Sequence, residues 1–160
     1  MTVTLWRIAT DAPSYTADDM QGLGAKKTGG RWNRQGTPMI YTATSRSLAC
    51  LETMVHLGAI TLPLNRYLVE INVPDKLWDT RKELDVTKNI GWDAIPPGRV
   101  SLDAGDEWCR KNSSPLMCVP SVIVPEELNV LINPTHPAAA DITSRKVRKW
   151  VYDLRVWAKL

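Results

Sequence analysis

Phenylalanine is absent from this chain of 160 residues, and histidine occurs only twice. The first absence passes the work of filling a core to seven tryptophans and to Leu, Val and Ile. The second weighs against a metal site, because His56 and His136 are too few and Glu52 and His56, four residues apart, have no evident third ligand. The three cysteines, Cys50, Cys109 and Cys118, form no C-x-x-C pair. A disulfide framework or zinc site is therefore not expected, and a reducing cytoplasm is the simplest location. Nor is there an excess of one charge: 20 basic and 17 acidic residues leave +3. That is too mild to imply direct nucleic-acid binding, and it is compatible with an anionic small ligand or an acidic protein partner. The opening MTVTLWRIATDAP lacks a basic start and a long apolar run, so no signal peptide is expected. No apolar stretch reaches membrane-spanning length. Gly22-Leu23-Gly24 is not continued into G-x-G-x-x-G, and neither a P-loop nor a G-x-S-x-G elbow occurs.

What is present fits one domain over residues 1–160, long enough to bury a sizeable core, with no repeat or linker dividing it. Residues 3–9 read as a first strand and residues 20–37, holding five of the nine glycines, as a loop able to approach a ligand closely. A short strand follows at 38–43, with Pro38 at its start where a missing donor is tolerated. Ser45 or Ser47 can cap a helix over roughly 46–57. Residues 66–73 form a strand closed by Pro74. Residues 75–100, broken by Pro96-Pro97-Gly98, read as mostly loop with a short helix. A helix at 103–111 with Asp103 as its cap precedes strands at 117–124 and 129–133. Residues 141–149 read as a basic helix and 150–157 as a final strand. Several strands with few helices between them favour α+β over a doubly wound parallel sheet.

The residues that could carry chemistry begin with Glu52. Leu48, Leu51 and Val55 have the spacing of an apolar helical stripe, and Glu52 falls on or beside it. A carboxylate there loses solvation unless it is paired or faces a polar cavity. The alternative is a helix-edge glutamate in water or paired with His56. Arg31 stands in Gly29-Gly30-Arg31-Trp32-Asn33, where glycine permits close approach and a guanidinium can hold phosphate through two parallel hydrogen bonds; the alternative is a surface arginine beside a turn. Tyr41 offers a ring to a planar base and a hydroxyl to a ribose, or is a core tyrosine with a satisfied hydroxyl. Ser121 interrupts an apolar strand, where alternation sets it on the face of Val119 and Ile123. Its hydroxyl must find a partner, which can be a neighbouring backbone group, and as a nucleophile it is poor. The cluster Arg145, Lys146, Arg148 and Lys149 is more often a solvated helix face than a nucleic-acid site.

Arg31, Glu52 and Ser121, in this order, resemble the signature of the RES-domain family. Around them stand Leu5-Trp6-Arg7-Ile8-Ala9, Gly24-Ala25, Ile40-Tyr41-Thr42-Ala43, Ala49-Cys50-Leu51-Glu52 with His56, and Val119-Pro120-Ser121. The series closes on Asn129-Val130-Leu131-Ile132-Asn133-Pro134 with His136-Pro137. The resemblance covers most of the chain and leaves residues 75–115 and 138–150 unmatched.

The resemblance implies a toxin of a bacterial toxin–antitoxin pair, neutralised by an Xre-like helix-turn-helix antitoxin. It implies an ADP-ribosyltransferase-like mixed fold with a largely antiparallel split sheet, and an activity that degrades NAD⁺ and halts growth. NAD⁺ is then a substrate, and no cofactor or metal is expected. On this chain Arg31 would bind the phosphates, Tyr41 would pack against nicotinamide or its ribose, and Glu52 would be the catalytic carboxylate. Ser121 would position the ligand or Glu52. Gly30, Trp32 and Asn133 complete the expected substrate-binding set. Two other readings stay open: an ADP-ribosyltransferase that modifies a cellular protein, and a non-catalytic partner of a helix-turn-helix regulator. A homodimer, or a larger complex with the antitoxin, is compatible with each.

Overall fold

A computed structural model describes residues 1–57 and 63–156. Its centre is one seven-stranded sheet. The strands are β1 (Thr2–Thr10), β2 (Ile40–Ala43), β3 (Arg66–Pro74), β4 (Lys82–Glu83), β5 (Leu116–Pro120), β6 (Leu128–Ile132) and β7 (Thr143–Lys149), in the order β4-β5-β6-β2-β1-β3-β7. Every pairing is antiparallel except the short β4–β5 contact. The register between β1 and β2 is one residue pair, Trp6 with Ala43. The sheet is thus nearly split into halves β4-β5-β6-β2 and β1-β3-β7. This is the α+β class expected from the strand-rich sequence, with the largely antiparallel split sheet that the family resemblance implies.

Four α-helices, α1 (Leu23–Thr28), α2 (Arg46–Met54), α3 (Asp75–Trp78) and α4 (Arg99–Lys111), and two short 3-10 helices complete the described elements. None is long and apolar enough to cross a membrane. Strand alternation separates the two sheet faces. One face buries Leu5, Ala9, Ile40, Val69, Ile71, Val73, Val130 and Ile132 in one continuous cluster. The other face is divided. Under α2, Leu48 and Ala49 pack on Trp6, Ile8, Ala43 and Leu68. Beside α4, Trp108 packs with Trp32, Met39, Met117, Val119 and Leu131. Between these clusters lies a seam floored by β2 and β6, where Ala43 stands opposite Asn129 and Tyr41 opposite Leu131.

Several expectations are revised. Residues 143–149 form a strand, β7, in place of a basic helix. Their cations alternate sides: Arg145 reaches Glu70 at 3.2 Å, while Lys146 reaches Asp11 at 2.9 Å. Alternating partners suit a two-residue period, and backbone pairing with β3 outweighs helix propensity. No final strand runs over the described part of 150–157. The Trp150 N–H adds one bond to the Arg66 carbonyl, after which Leu154–Val156 form a 3-10 turn that Asp153 caps through the Arg155 N–H; residue 157 lies outside the described residues. Helix α4 starts four residues before Asp103, with Gly98 at its cap position. Asp103 instead pairs with Arg34 at 2.6 Å. The glycine-rich stretch 20–37 also contains a helix, α1, which its glycines masked in the sequence.

Helix α4 lies against the glycine loop because Gly105 has no side chain: a Cβ there would overlap the Trp32 carbonyl oxygen. In an unobstructed helix Gly→Ala stabilises by about 1 kcal/mol. Here the sign reverses, and Gly105→Ala is expected to lower the unfolding free energy by about 3 kcal/mol through overpacking. Gly98→Ala, whose added methyl meets nothing nearer than 3.9 Å, serves as the control. Urea titration of both variants checks the difference.

Candidate functional site

The site forms where α2 and the glycine loop meet across the seam. Ser45 caps α2 by accepting the Leu48 N–H at 3.1 Å, which fixes the helix over β2. Leu48 and Ala49 are the buried positions of α2, whereas Leu51 and Val55 are 38% and 61% exposed. The apolar stripe expected through Leu51 and Val55 is therefore not the packed face. Glu52 is nevertheless on the inner side, because it follows Leu48 by four residues and Ala49 by three. His56 is exposed, and Glu52 does not pair with it.

Glu52 Oε1 accepts two short hydrogen bonds, from Ser121 Oγ at 2.7 Å and from Asn129 Nδ2 at 2.6 Å. The direction of the first is forced. Ser121 Oγ already accepts the N–H groups of Ile123 and Val124, each at 3.1 Å, so its own proton has to point at Glu52. Strand β5 ends at Pro120, and Ser121 opens the following turn, its N–H held by the Glu127 carbonyl. The expected strand alternation of Ser121 with Val119 and Ile123 is accordingly lost, and a turn geometry takes its place. Oε2 of Glu52 has no hydrogen-bond partner among the described residues.

Asn129 joins the site although the sequence reading gave it no role there, only a place in a strand and in the last segment of the family resemblance. Its amide nitrogen is spent on Glu52, while its Oδ1 is buried and unpartnered. An unmade hydrogen bond at a buried acceptor typically costs about 1–3 kcal/mol. Its sequence signals were a polar residue at the head of an apolar strand, which is a common pattern, and its place in the family-like segment 129–134, which by itself assigns no role.

Arg31 projects from the glycine loop. Its Nη1 donates to the carbonyls of Trp92 and Ala94, at 3.0 and 2.8 Å, which ties the loop to the strap between β4 and α4. Partial burial lowers the guanidinium pKa from its ordinary value. The charge of Glu52 is the largest influence opposing that shift, ahead of Asp93. The cation and the carboxylate thus act on each other across one seam.

Tyr41 has a different task from a free hydroxyl. Its O–H donates to Asn33 Oδ1 at 2.6 Å and accepts the Trp32 N–H at 3.0 Å. Burial raises the phenol pKa above its ordinary value, so the proton stays available for Asn33. Gly30 makes room for this contact, since a Cβ there would lie 2.6 Å from the hydroxyl. Asn33, fully buried, donates in turn to the carbonyls of Ala25 and Thr37 at 2.8 and 2.9 Å. What Tyr41 leaves available at the seam is its ring.

The structure sets Trp32 and Asn133 behind this surface. Trp32 is buried and stacks on Trp92, with ring centroids 6.2 Å apart. Asn133 is also buried: its Nδ2 donates to Asn112 Oδ1 at 3.0 Å, and its Oδ1 accepts from the Thr135 N–H and hydroxyl. Arg31, Tyr41, Glu52, Ser121 and Gly30 therefore gather at the seam, while Trp32 and Asn133 brace its walls. Among the described residues no three His, Cys, Asp or Glu side chains come together as a metal-binding group. A separate cavity of about 160 Å³, lined by Cys50, Met54, Trp150, Tyr152 and Val156, is apolar and lies on the side of α2 away from Glu52.

The RES domain profile matches residues 4–155. A "Prs ADP-ribosylating toxin" from Sphingobium sp. (strain YBL2) is 57% identical over 161 residues, covering 99% of each chain. A protein named "Toxin Res" from Photorhabdus laumondii is 40% identical over 75% of this chain and 76% of its own, and one from Yersinia enterocolitica is 38% identical over 76% and 79%. In fold, the chain is similar to one in the crystal structure of the M. tuberculosis MbcT-MbcA toxin–antitoxin complex, with a TM-score of 0.58 at 17% identity, covering 100% of this chain and 89% of that one.

The Tyr41 hydroxyl yields a prediction about the scaffold. Tyr41→Phe leaves Asn33 Oδ1 and the Trp32 N–H without their partner, so unfolding free energy should fall by about 1–3 kcal/mol. Denaturant unfolding of the variant against the parent measures it.

Proposed function

This chain belongs to the RES-domain toxin family, and from that premise we propose that it cleaves the bond between nicotinamide and ribose in NAD⁺. The observation that carries the reading is the shared seam of Glu52 and Arg31, with one oxygen of Glu52 fixed by Ser121 and Asn129 and the other without a hydrogen-bond partner among the described residues. Breaking this bond develops positive charge on the sugar, as in glycoside hydrolysis. A carboxylate held in place beforehand meets that charge without reorganising, and it stabilises the transition state more than the ground state. In this reading Glu52 Oε2 does so, and it accepts hydrogen bonds from the ribose hydroxyls.

Arg31 supplies orientation. Nη1 is occupied by the Trp92 and Ala94 carbonyls, which leaves the other edge of the guanidinium for the pyrophosphate. Anchoring that end holds the reactive bond against Glu52. The Tyr41 ring offers a flat wall to nicotinamide or its ribose, and Gly30 offers backbone at close range. Ser121 serves through Glu52. Nicotinamide leaves as a neutral molecule from a cationic precursor, so no metal is required.

The acceptor distinguishes two outcomes. Capture by water or inorganic phosphate degrades NAD⁺ and arrests growth. Transfer of ADP-ribose to a protein is the second reading, and the name of the Sphingobium relative favours it. In either case, the toxin would work in the cytoplasm and be neutralised by an Xre-like helix-turn-helix antitoxin; the complex in which the structural neighbour was crystallised is consistent with an antitoxin partner.

Incubating the purified protein with NAD⁺, with and without inorganic phosphate and with and without lysate proteins, and identifying the products by mass spectrometry, tests both readings. Free nicotinamide is expected in every arm, and ADP-ribosylated protein only if the second reading holds. Glu52→Gln should slow nicotinamide release by roughly 10²–10³-fold, the size seen when one oxyanion-hole donor is lost. Turnover equal to the parent would remove Glu52 from the chemistry. Arg31→Ala should raise KM for NAD⁺ more than it lowers kcat, and unchanged values of both would take Arg31 out of the site.

A further inference from the structure

We infer that Asn129 is the positioning residue that fixes the reactive carboxylate: its amide donates to Glu52 Oε1 and so turns Oε2 toward the substrate. This rests on the proposed NAD⁺ cleavage. Three observations support it. Asn129 Nδ2 lies 2.6 Å from Oε1, as short as any bond in the site. Its Oδ1 is buried without a partner, so the amide gives up one hydrogen bond in order to keep this donor aimed at Glu52. Its placement is also set from outside the site, by the antiparallel register of β6 with β2, where Asn129 faces Ala43, and with β5, where it faces Val119.

Ser121 alone would not define the carboxylate. A single donor leaves the group free to rotate about that one contact, whereas two donors converging on one oxygen from different elements select one orientation. Ser121 arrives from the turn after β5 and Asn129 from the start of β6. The hydroxyl is locked as a donor by the Ile123 and Val124 N–H groups. The amide can only present its N–H side to an oxygen that already accepts a proton from Ser121. Both donors thus require Oε1 to be the acceptor, and Oε2 is left for the ligand.

Asn129→Ala and Asn129→Asp separate this role from simple packing. Losing the donor should lower kcat for nicotinamide release on the order of 10–100-fold, the range found when a group that orients a functional ligand is removed, with KM for NAD⁺ within about twofold. Asn129→Asp keeps the shape of the side chain but replaces the donor with a like charge against Glu52. It should therefore be slower than Asn129→Ala. A role in filling space predicts the reverse order, and that order, or a parent-like kcat in Asn129→Ala, overturns the inference.

A second measurement needs no activity. Asn129→Asp sets a second carboxylate against Glu52 Oε1, and adding Glu52→Gln removes that like-charge contact while the glutamine oxygen can still accept the Ser121 proton. The double variant should melt above Asn129→Asp alone while releasing nicotinamide no faster than Glu52→Gln. If it melts no higher, the contact does not hold the two residues together and the inference falls. Should the parent itself release no nicotinamide, the proposed function fails, and the melting comparison still decides on Asn129.

Discussion

One oxygen of Glu52 holds two short hydrogen bonds, and this junction draws on three separate parts of the chain. Helix α2 brings the carboxylate, the turn after β5 brings Ser121 at 2.7 Å, and β6 brings Asn129 at 2.6 Å. A carboxylate on the packed side of a helix is tolerated only when such donors meet it. Their convergence also removes most of its rotational freedom. The rest of the seam is arranged around a negative group that is fixed before any ligand arrives, which is the condition for electrostatic stabilisation without reorganisation.

The scaffold makes that possible by leaving one sheet face unfilled. The opposite face is covered by a continuous core, while this face carries two clusters, one under α2 and one beside α4. The nearly split junction between β1 and β2 sits beneath α2, and Asn129 and Tyr41 rise between the clusters. Small residues set the spacing. Gly105 lets α4 touch the Trp32 carbonyl, and Gly30 lets the Tyr41 hydroxyl reach the glycine loop. Arg34 joins the same loop to α4 through Asp103 and Asp106, at 2.6 and 2.8 Å. The loop that carries Arg31 is thus held at several points, although its sequence is that of a mobile turn.

Much of this was legible in the residues. The strands around 3–9, 66–73 and 129–133, the helix starting near Ser45, and the α+β class followed from alternation, capping and the small number of helices. Glu52 stood out because it neighbours the apolar positions of its helix, even though the packed face proved to run through Leu48 and Ala49 and not through Leu51 and Val55. The stretch 141–149 was misread because four cations in five residues look like a solvated helix face. What decides it is an edge strand's pairing with β3 and the acids on either side of it, Glu70 and Asp11. Helix α1 was hidden by glycine, whose low helix propensity is outweighed by the contacts of the folded loop.

The sequence by itself determined which side chains were available: a guanidinium after paired glycines, a glutamate on a helix, a serine after a strand, and the family these belong to. Such features are local, or are fixed in their order along the chain. Only the tertiary structure decided which atoms meet. It turned the Tyr41 hydroxyl inward to Asn33, placed Asn133 inside a loop brace, and brought Asn129, 77 residues from Glu52, to one of its oxygens. The physical reason is that hydrogen-bond partners at such separation are chosen by strand register and helix packing, and neither is written in the pattern of any one segment.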